Sequence, residues 1–124
     1  MTDGKKTVCV VDDDEVVRDS MSALLSRRYT VLEFASGMDY LKRAASITAG
    51  CVLLDVHMPD MTGIELLRIL RAQGNTVPVV MMTGRKDPVI EADARALDVT
   101  TLLDKPIPHT VLAAALEKAF ARSA

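Results

Sequence analysis

The chain has 124 residues, of which 49% are hydrophobic and 26% charged, with a formal net charge of -2. That is the length of one ordinary globular domain, apolar enough to fill a core, while its apolar runs are too short and too interrupted by charge to span a membrane. No basic stripe dominates, which argues against a nucleic-acid or membrane surface, and the MTDGKK start carries no secretory signal, so a cytoplasmic protein is expected.

The first apolar run, TVCVV over residues 7–11, passes straight into Asp12, Asp13, Asp14 and Glu15. Two carboxylates about 4 Å apart repel by roughly 4 kcal/mol at an effective dielectric of about 20. A strand ending in such a cluster therefore asks for a counter-charge. Val17, Met21, Leu24 and Leu25 then recur at helical spacing, with Asp14 and Glu15 placed to cap that helix and favour its positive end. TVLEF over 30–34 predicts a second strand, and Ser36 is the expected N-cap of a second helix. CVLL over 51–54 exits into Asp55. Thr62 and Glu65 form a capping box before LLRILR. VPVVMM over 77–82 exits into Thr83-Gly84, and Asp87-Pro88 sets an N-cap before a proline in the first helical position. TTLL over 100–103 exits into Asp104-Lys105-Pro106. Pro108 opens a last helix whose expected buried stripe is Val111, Leu112, Ala115, Leu116 and Ala119.

The strand-like runs show little in/out alternation, as expected when helices cover both faces of a parallel sheet. Strand and helix alternating along the whole chain imply an α/β fold of two helix layers around one such sheet. Ligands of open parallel sheets bind beyond the carboxyl ends of the strands, near the point where strand order reverses. Four strand exits would thus bring several carboxylates, a hydroxyl and an ammonium to one crevice. Oxygen-rich acid clusters suit Mg²⁺, which keeps several waters and takes one or two carboxylates plus phosphate oxygens. A carboxylate can also attack phosphorus, with a metal, Lys105 and a hydroxyl neutralising the charge that is transferred. Taken singly, each acid could equally be a helix cap or a solvated loop residue.

Four segments, VVDDDEVVRDSM, LLDVHMPDMTGIELLRILR, VPVVMMTG and LLDKPI, together resemble the receiver domain of two-component response regulators, in order and at family spacing. The LLDVHMPDMTG stretch is most similar to the FixJ-like branch. The resemblance covers residues 1–124 as one domain. It implies a single (βα)5 doubly wound, flavodoxin-like domain, with a central parallel five-stranded sheet in the order 2-1-3-4-5. It makes Asp55 the phosphoacceptor, Asp13 a direct ligand of Mg²⁺ or Mn²⁺, and Asp12 a ligand acting chiefly through water. The backbone carbonyl of His57 would be a further ligand. Thr83 would hydrogen-bond the phosphoryl group and Lys105 would pair with it, across a cis Lys105–Pro106 bond. Pro59 and Gly63 would shape the loop after Asp55.

The implied partners are a sensor histidine kinase or phosphotransfer protein, and a downstream protein target or an attached output domain. The resemblance also allows a homodimer formed on phosphorylation. The chain is read as a phosphoacceptor regulatory domain, not an enzyme, that assists its own phosphorylation and dephosphorylation. It would be either a stand-alone receiver or the regulatory part of a FixJ-like DNA-binding transcription factor. The competing class is a phosphatase similar to the haloacid dehalogenase superfamily, whose Asp-x-Asp pattern Asp12-Asp13-Asp14 satisfies, with Asp12 as nucleophile; it leaves Asp55 unexplained.

Two positions depart from the family pattern. Leu102 replaces the aromatic residue usual three positions before the lysine, in a chain only 3% aromatic. Asp98 stands where a glycine often forms the turn before the last strand, which Asp tolerates in left-handed backbone. The imidazoles of His57 and His109 are expected in solvent, and Met58, Met61, Met81 and Met82 are expected to pack. Arg85 and Lys86 follow Thr83 in a loop near the pocket. His57 and Arg85 are expected to tune phosphate lifetime by controlling water access. Cys9 and Cys51 are read as small core residues, with a redox pair across neighbouring strands as the alternative.

Overall fold

In the computed structural model, residues 4–48 and 50–123 are described; the first three residues of the MTDGKK start, Ala49 and the final Ala124 lie outside them. Five strands, β1 (Lys6–Val11), β2 (Tyr29–Phe34), β3 (Cys51–Asp55), β4 (Val79–Thr83) and β5 (Thr101–Asp104), alternate with five helices. These are α1 (Glu15–Leu25), α2 (Gly37–Ala44), α3 (Gly63–Ala72), α4 (Pro88–Ala96) and α5 (His109–Ser123). All strand pairings are parallel, in the order β2-β1-β3-β4-β5. The order reverses between β1 and β3, so the crevice expected at a topological switch point opens at the carboxyl ends of those two strands.

The capping chemistry read from the sequence fixes the helix starts. Asp14 accepts from the amides of Val16 and Val17, Ser36 from Asp39, and Asp87 from Ile90. Thr62 and Glu65 satisfy each other's backbone amides in a reciprocal box. Each such cap is worth about 1 kcal/mol. The last helix begins one residue later than expected: Pro108 sits ahead of it, its carbonyl accepting from Leu112 at 3.0 Å. Proline can precede the first helical amide at no hydrogen-bonding cost, so the boundary shifts without consequence.

Two cores lie on the two sheet faces. Val11, Val52, Leu54 and Met81 pack with Tyr40, Leu66, Leu67 and Leu70 under α2, α3 and α4. Val8, Val10, Leu53 and Met82 pack with Leu25, Leu112, Leu116 and Phe120 under α1 and α5. Each fully buried Leu contributes roughly 1.5–3 kcal/mol, which is why the central strands read as unbroken apolar runs. The expected stripe of α5 is buried except for Val111, which is 43% exposed, and Phe120, outside that stripe, is also buried. Along α1 only Leu25 is buried, and Val16 is 73% exposed. Asp98 adopts φ 60, the left-handed turn expected there.

Register overturns the alternative of a cysteine pair. Cys9 aligns with Val52, and Cys51 with Val8. Neighbours in register point to the same side and successive residues to opposite sides, so the two thiols face different cores. Both are free and buried, and burial pushes the thiols up to about 11 and about 12 respectively. Neither is a thiolate at neutral pH.

Candidate phosphoryl-acceptor and metal site

β1 and β3 deliver Asp12 and Asp55 to adjacent strand ends, where both carboxylates are buried, at 0% and 4% exposure. Asp13, one residue on, is exposed. One carboxylate oxygen from each of these three acids lies within 4.8 Å of the other two. Lys105, immediately after β5, reaches across the sheet. Its Nζ lies 3.1 Å from Asp12 Oδ2 and 3.1 Å from Asp55 Oδ1. The Lys105–Pro106 bond is cis.

The electrostatics follow from this packing. Burial raises the Asp55 carboxyl, the Asp12 charge raises it further, and Lys105 only partly offsets both. Burial by itself would lower the Lys105 ammonium, but its hydrogen bonds to Asp12 and Asp55, together with their charges, outweigh it and the net shift is upward. Asp12 has both oxygens engaged, Oδ1 by the Asp14 amide at 2.9 Å and Oδ2 by Lys105. Asp55 gives Oδ1 to Lys105, and among the described residues its Oδ2 accepts no hydrogen bond.

A folded-state shift upward means that the unfolded chain releases the Asp55 proton more readily. The resulting cost to stability is absent below the ordinary carboxylate value and grows as pH rises through the folded-state value. Asp55→Asn is therefore expected to raise the melting temperature of the metal-free protein at neutral pH. The gain should shrink as pH falls toward about 4. Thermal melts in chelator across that range measure it, and a less stable variant at pH 7 would contradict the charge balance described.

Thr83 ends β4 and is fully buried. Its hydroxyl donates to the Arg85 carbonyl at 2.9 Å and accepts from the Arg85 amide at 3.1 Å, so in this conformation it serves its own loop rather than Asp55. The loop is tied to β5 by Lys86–Asp104 at 3.8 Å. Leu102 packs partly buried against the core beneath α4. The imidazoles of His57 and His109, and the side chains of Arg85 and Lys86, are exposed; Met58, Met81 and Met82 are buried, and Met61 is half-buried.

Gly63 opens α3 directly behind the end of β3, its amide donating to the Val56 carbonyl at 2.9 Å. A Cβ there would collide with the Asp55 carbonyl oxygen and stand 3.1 Å from both Asp55 C and Val56 Cα. Arg18 also touches the site, its Nη1 donating to the Asp12 carbonyl at 2.7 Å. Nothing in the one-dimensional pattern singles Arg18 out, because a charged residue on an exposed helix usually faces water.

A doubly wound parallel sheet with an acid cluster at its switch point and a lysine paired across it defines an α/β domain whose acids could hold a metal ion. The family described as response regulator receiver domain matches residues 8–117, and the chain belongs to it. Within that family it falls in the FixJ-like branch. The transcriptional regulatory protein FixJ of Azorhizobium caulinodans is 36% identical over 118 residues, covering 94% of this chain and 56% of that protein. The tetrathionate response regulatory protein TtrR of Salmonella typhimurium is 36% identical, covering 91% and 55%. Among solved structures, FixJ-N superposes with a TM-score of 0.87 at 33% identity, over 98% of this chain and 96% of that one. The chemotaxis protein CheY4 of Vibrio cholerae does so at 0.87 and 28% identity, over 94% and 99%. The chain spans about half the length of the curated relatives it matches. As a receiver domain it is a phosphoacceptor signalling module of a two-component system, and no helix among the described residues is long and apolar enough to cross a membrane.

Proposed function

We propose that residues 1–124 form one receiver domain in which Asp55 takes a phosphoryl group from the phosphohistidine of a sensor kinase or phosphotransfer protein. The observation carrying this reading is the asymmetry of the buried acids: Asp55 keeps one oxygen unengaged, while both oxygens of Asp12 are committed. Asp55 Oδ2 attacks phosphorus and the P–N bond breaks. The electron pair returns to the ring nitrogen, and the product is an acyl phosphate on Asp55. Lys105 keeps its hydrogen bond to Asp55 and pairs with the incoming phosphoryl oxygens. The Thr83 hydroxyl has a single proton, so it must leave the Arg85 carbonyl to donate to the phosphoryl group.

Asp12, Asp13 and Asp55 fit Mg²⁺ or Mn²⁺. They offer only oxygen donors, gathered within 4.8 Å, with exposed Asp13 leaving an open side for water and phosphate oxygens. When bound, the ion supplies charge neutralisation to the acids and the transferred group. Asp13 would coordinate it directly, Asp12 chiefly through water, and His57 through its backbone carbonyl. The assistance this chain gives to its own phosphorylation and dephosphorylation lies in these residues, which is short of turnover on a separate substrate.

The donor docks on the groove between α1 and the loop after β5. It is a cavity of about 460 Å³ whose lining includes Val16, Met21, Leu24, Ile107 and Leu112, with Lys105 at its edge. Phosphorylation adds roughly -1.5 to -2 charge. Drawing Thr83 toward it releases the Arg85 loop and shifts a pre-existing equilibrium toward a form that binds a downstream protein, an attached output domain or a second copy of the chain. The protein acts in the cytoplasm, where such kinases present their phosphohistidine.

Transfer from a panel of histidine kinases tests this reading. Label is expected on the wild type and lost in Asp55→Asn, whereas transfer persisting in that variant would overturn it. Arg85→Ala is expected to change the acyl phosphate half-life severalfold, about 1 kcal/mol in barrier, by altering water access. An unchanged decay of the isolated phosphoprotein would count against that role.

A further inference from the structure

Arg18 occupies the fourth position of α1, yet its side chain is 15% exposed and turned toward the acids. The Asp12 carbonyl that it grips at 2.7 Å belongs to the peptide group joining Asp12 to Asp13. On the other side, the Asp12 amide donates to the Phe34 carbonyl at 3.1 Å. Both peptide planes flanking Asp12 are therefore anchored, one by β2 and one by Arg18. Arg18 is itself tethered to β2, with Nε 3.8 Å from Glu33 Oε1. The plane that Arg18 holds decides how the two carboxylates are splayed relative to one another. A charge-assisted bond of this length is among the stronger ones a protein makes.

We propose that Arg18, held by Glu33, is a positioning residue for the acid pair and sets the preference of the site for Mg²⁺ over Ca²⁺. The inference rests on the reading that Asp12, Asp13 and Asp55 bind a divalent cation. Mg²⁺ demands near-ideal octahedral geometry at 2.0–2.1 Å, while Ca²⁺ accepts six to eight oxygens at 2.3–2.6 Å in flexible arrangements. Freeing the Asp12–Asp13 peptide should thus weaken Mg²⁺ far more than Ca²⁺. Removing the positive charge of Arg18 acts the other way, and equally on two cations of the same charge. The ratio of the two affinities isolates geometry from charge.

The test is calorimetric titration of Mg²⁺, and separately of Ca²⁺, into the full chain and its Arg18→Gln, Arg18→Lys and Glu33→Gln variants. Metal-free melting temperatures are recorded alongside. Arg18→Gln is expected to weaken Mg²⁺ about tenfold, the scale found when a ligand's outer support is lost. Ca²⁺ should change less than about threefold. Glu33→Gln should move the ratio the same way by less, and Arg18→Lys should recover part of it. Mg²⁺ binding with an unchanged ratio, or parallel loss of both ions following a lower melting temperature, would overturn the proposal while leaving the metal reading intact. A wild type that takes up neither ion would overturn the metal reading and the proposal with it.

Discussion

Lys105→Ala is expected to slow phosphorylation of the protein by a small-molecule phosphodonor about 10²–10³-fold, the scale for losing one donor to a developing oxyanion. The ammonium has two duties that the substitution separates. In the proposed reaction it pairs with the phosphoryl oxygens during transfer, and before transfer it neutralises Asp12 and Asp55, each 3.1 Å away. Without it two buried carboxylates face each other with no ion-pair partner among the described residues, and breaking a buried pair in this way costs roughly 3–5 kcal/mol. The metal-free variant should therefore melt well below the wild type, and Mg²⁺ should raise its melting temperature by more than it raises that of the wild type. Initial labelling rates and melts with and without Mg²⁺ measure both effects. An unchanged labelling rate would remove Lys105 from the reaction.

Gly63→Ala should produce the largest stability loss of any single methyl addition near the site. The new Cβ meets backbone on every near side: the Asp55 carbonyl oxygen, Asp55 C and Val56 Cα. No flexible side chain is there to yield, so the end of β3 or the start of α3 must shift. Overpacking of this kind costs about 1–3 kcal/mol and, against backbone, lies at the upper end. A drop in melting temperature of roughly 10 °C is expected, with slower phosphorylation because the displaced strand end carries Asp55. Gly84→Ala supplies the contrast, since a Cβ there meets nothing within 4 Å. Equal melting temperatures for the two variants would contradict the tight packing of α3 on β3.

The sequence made the strand exits legible because the parallel sheet sends every strand's carboxyl end to the same edge. Apolar runs closing on Asp12, Asp55, Thr83 and Asp104 could be followed to one crevice before any distance was known. The helix starts were equally legible, because a cap acts within three residues of itself. What escaped was set by relations between segments. The cysteine alternative turned on a one-residue register between β1 and β3, which no local pattern encodes. Val111 matched the helical stripe of α5 but fell at its exposed edge, while Phe120, at the far end of the same helix, joins the core without having been expected there. Arg18 looked like any charge on a helix surface until its grip on Asp12 was visible. The engagement of Thr83 by Arg85 depends on the side-chain rotamer and loop path, neither of which composition or spacing determines.

The most direct test is to find the atom that carries phosphate. The full chain is treated with acetyl phosphate and Mg²⁺, the acyl phosphate is trapped by borohydride reduction, and the modified residue is mapped by mass spectrometry. Asp55 should be the reduced residue, with no modification when Mg²⁺ is chelated. Modification at Asp12, as a phosphatase-like nucleophile would give, would contradict the assignment of Asp55 as the phosphoacceptor.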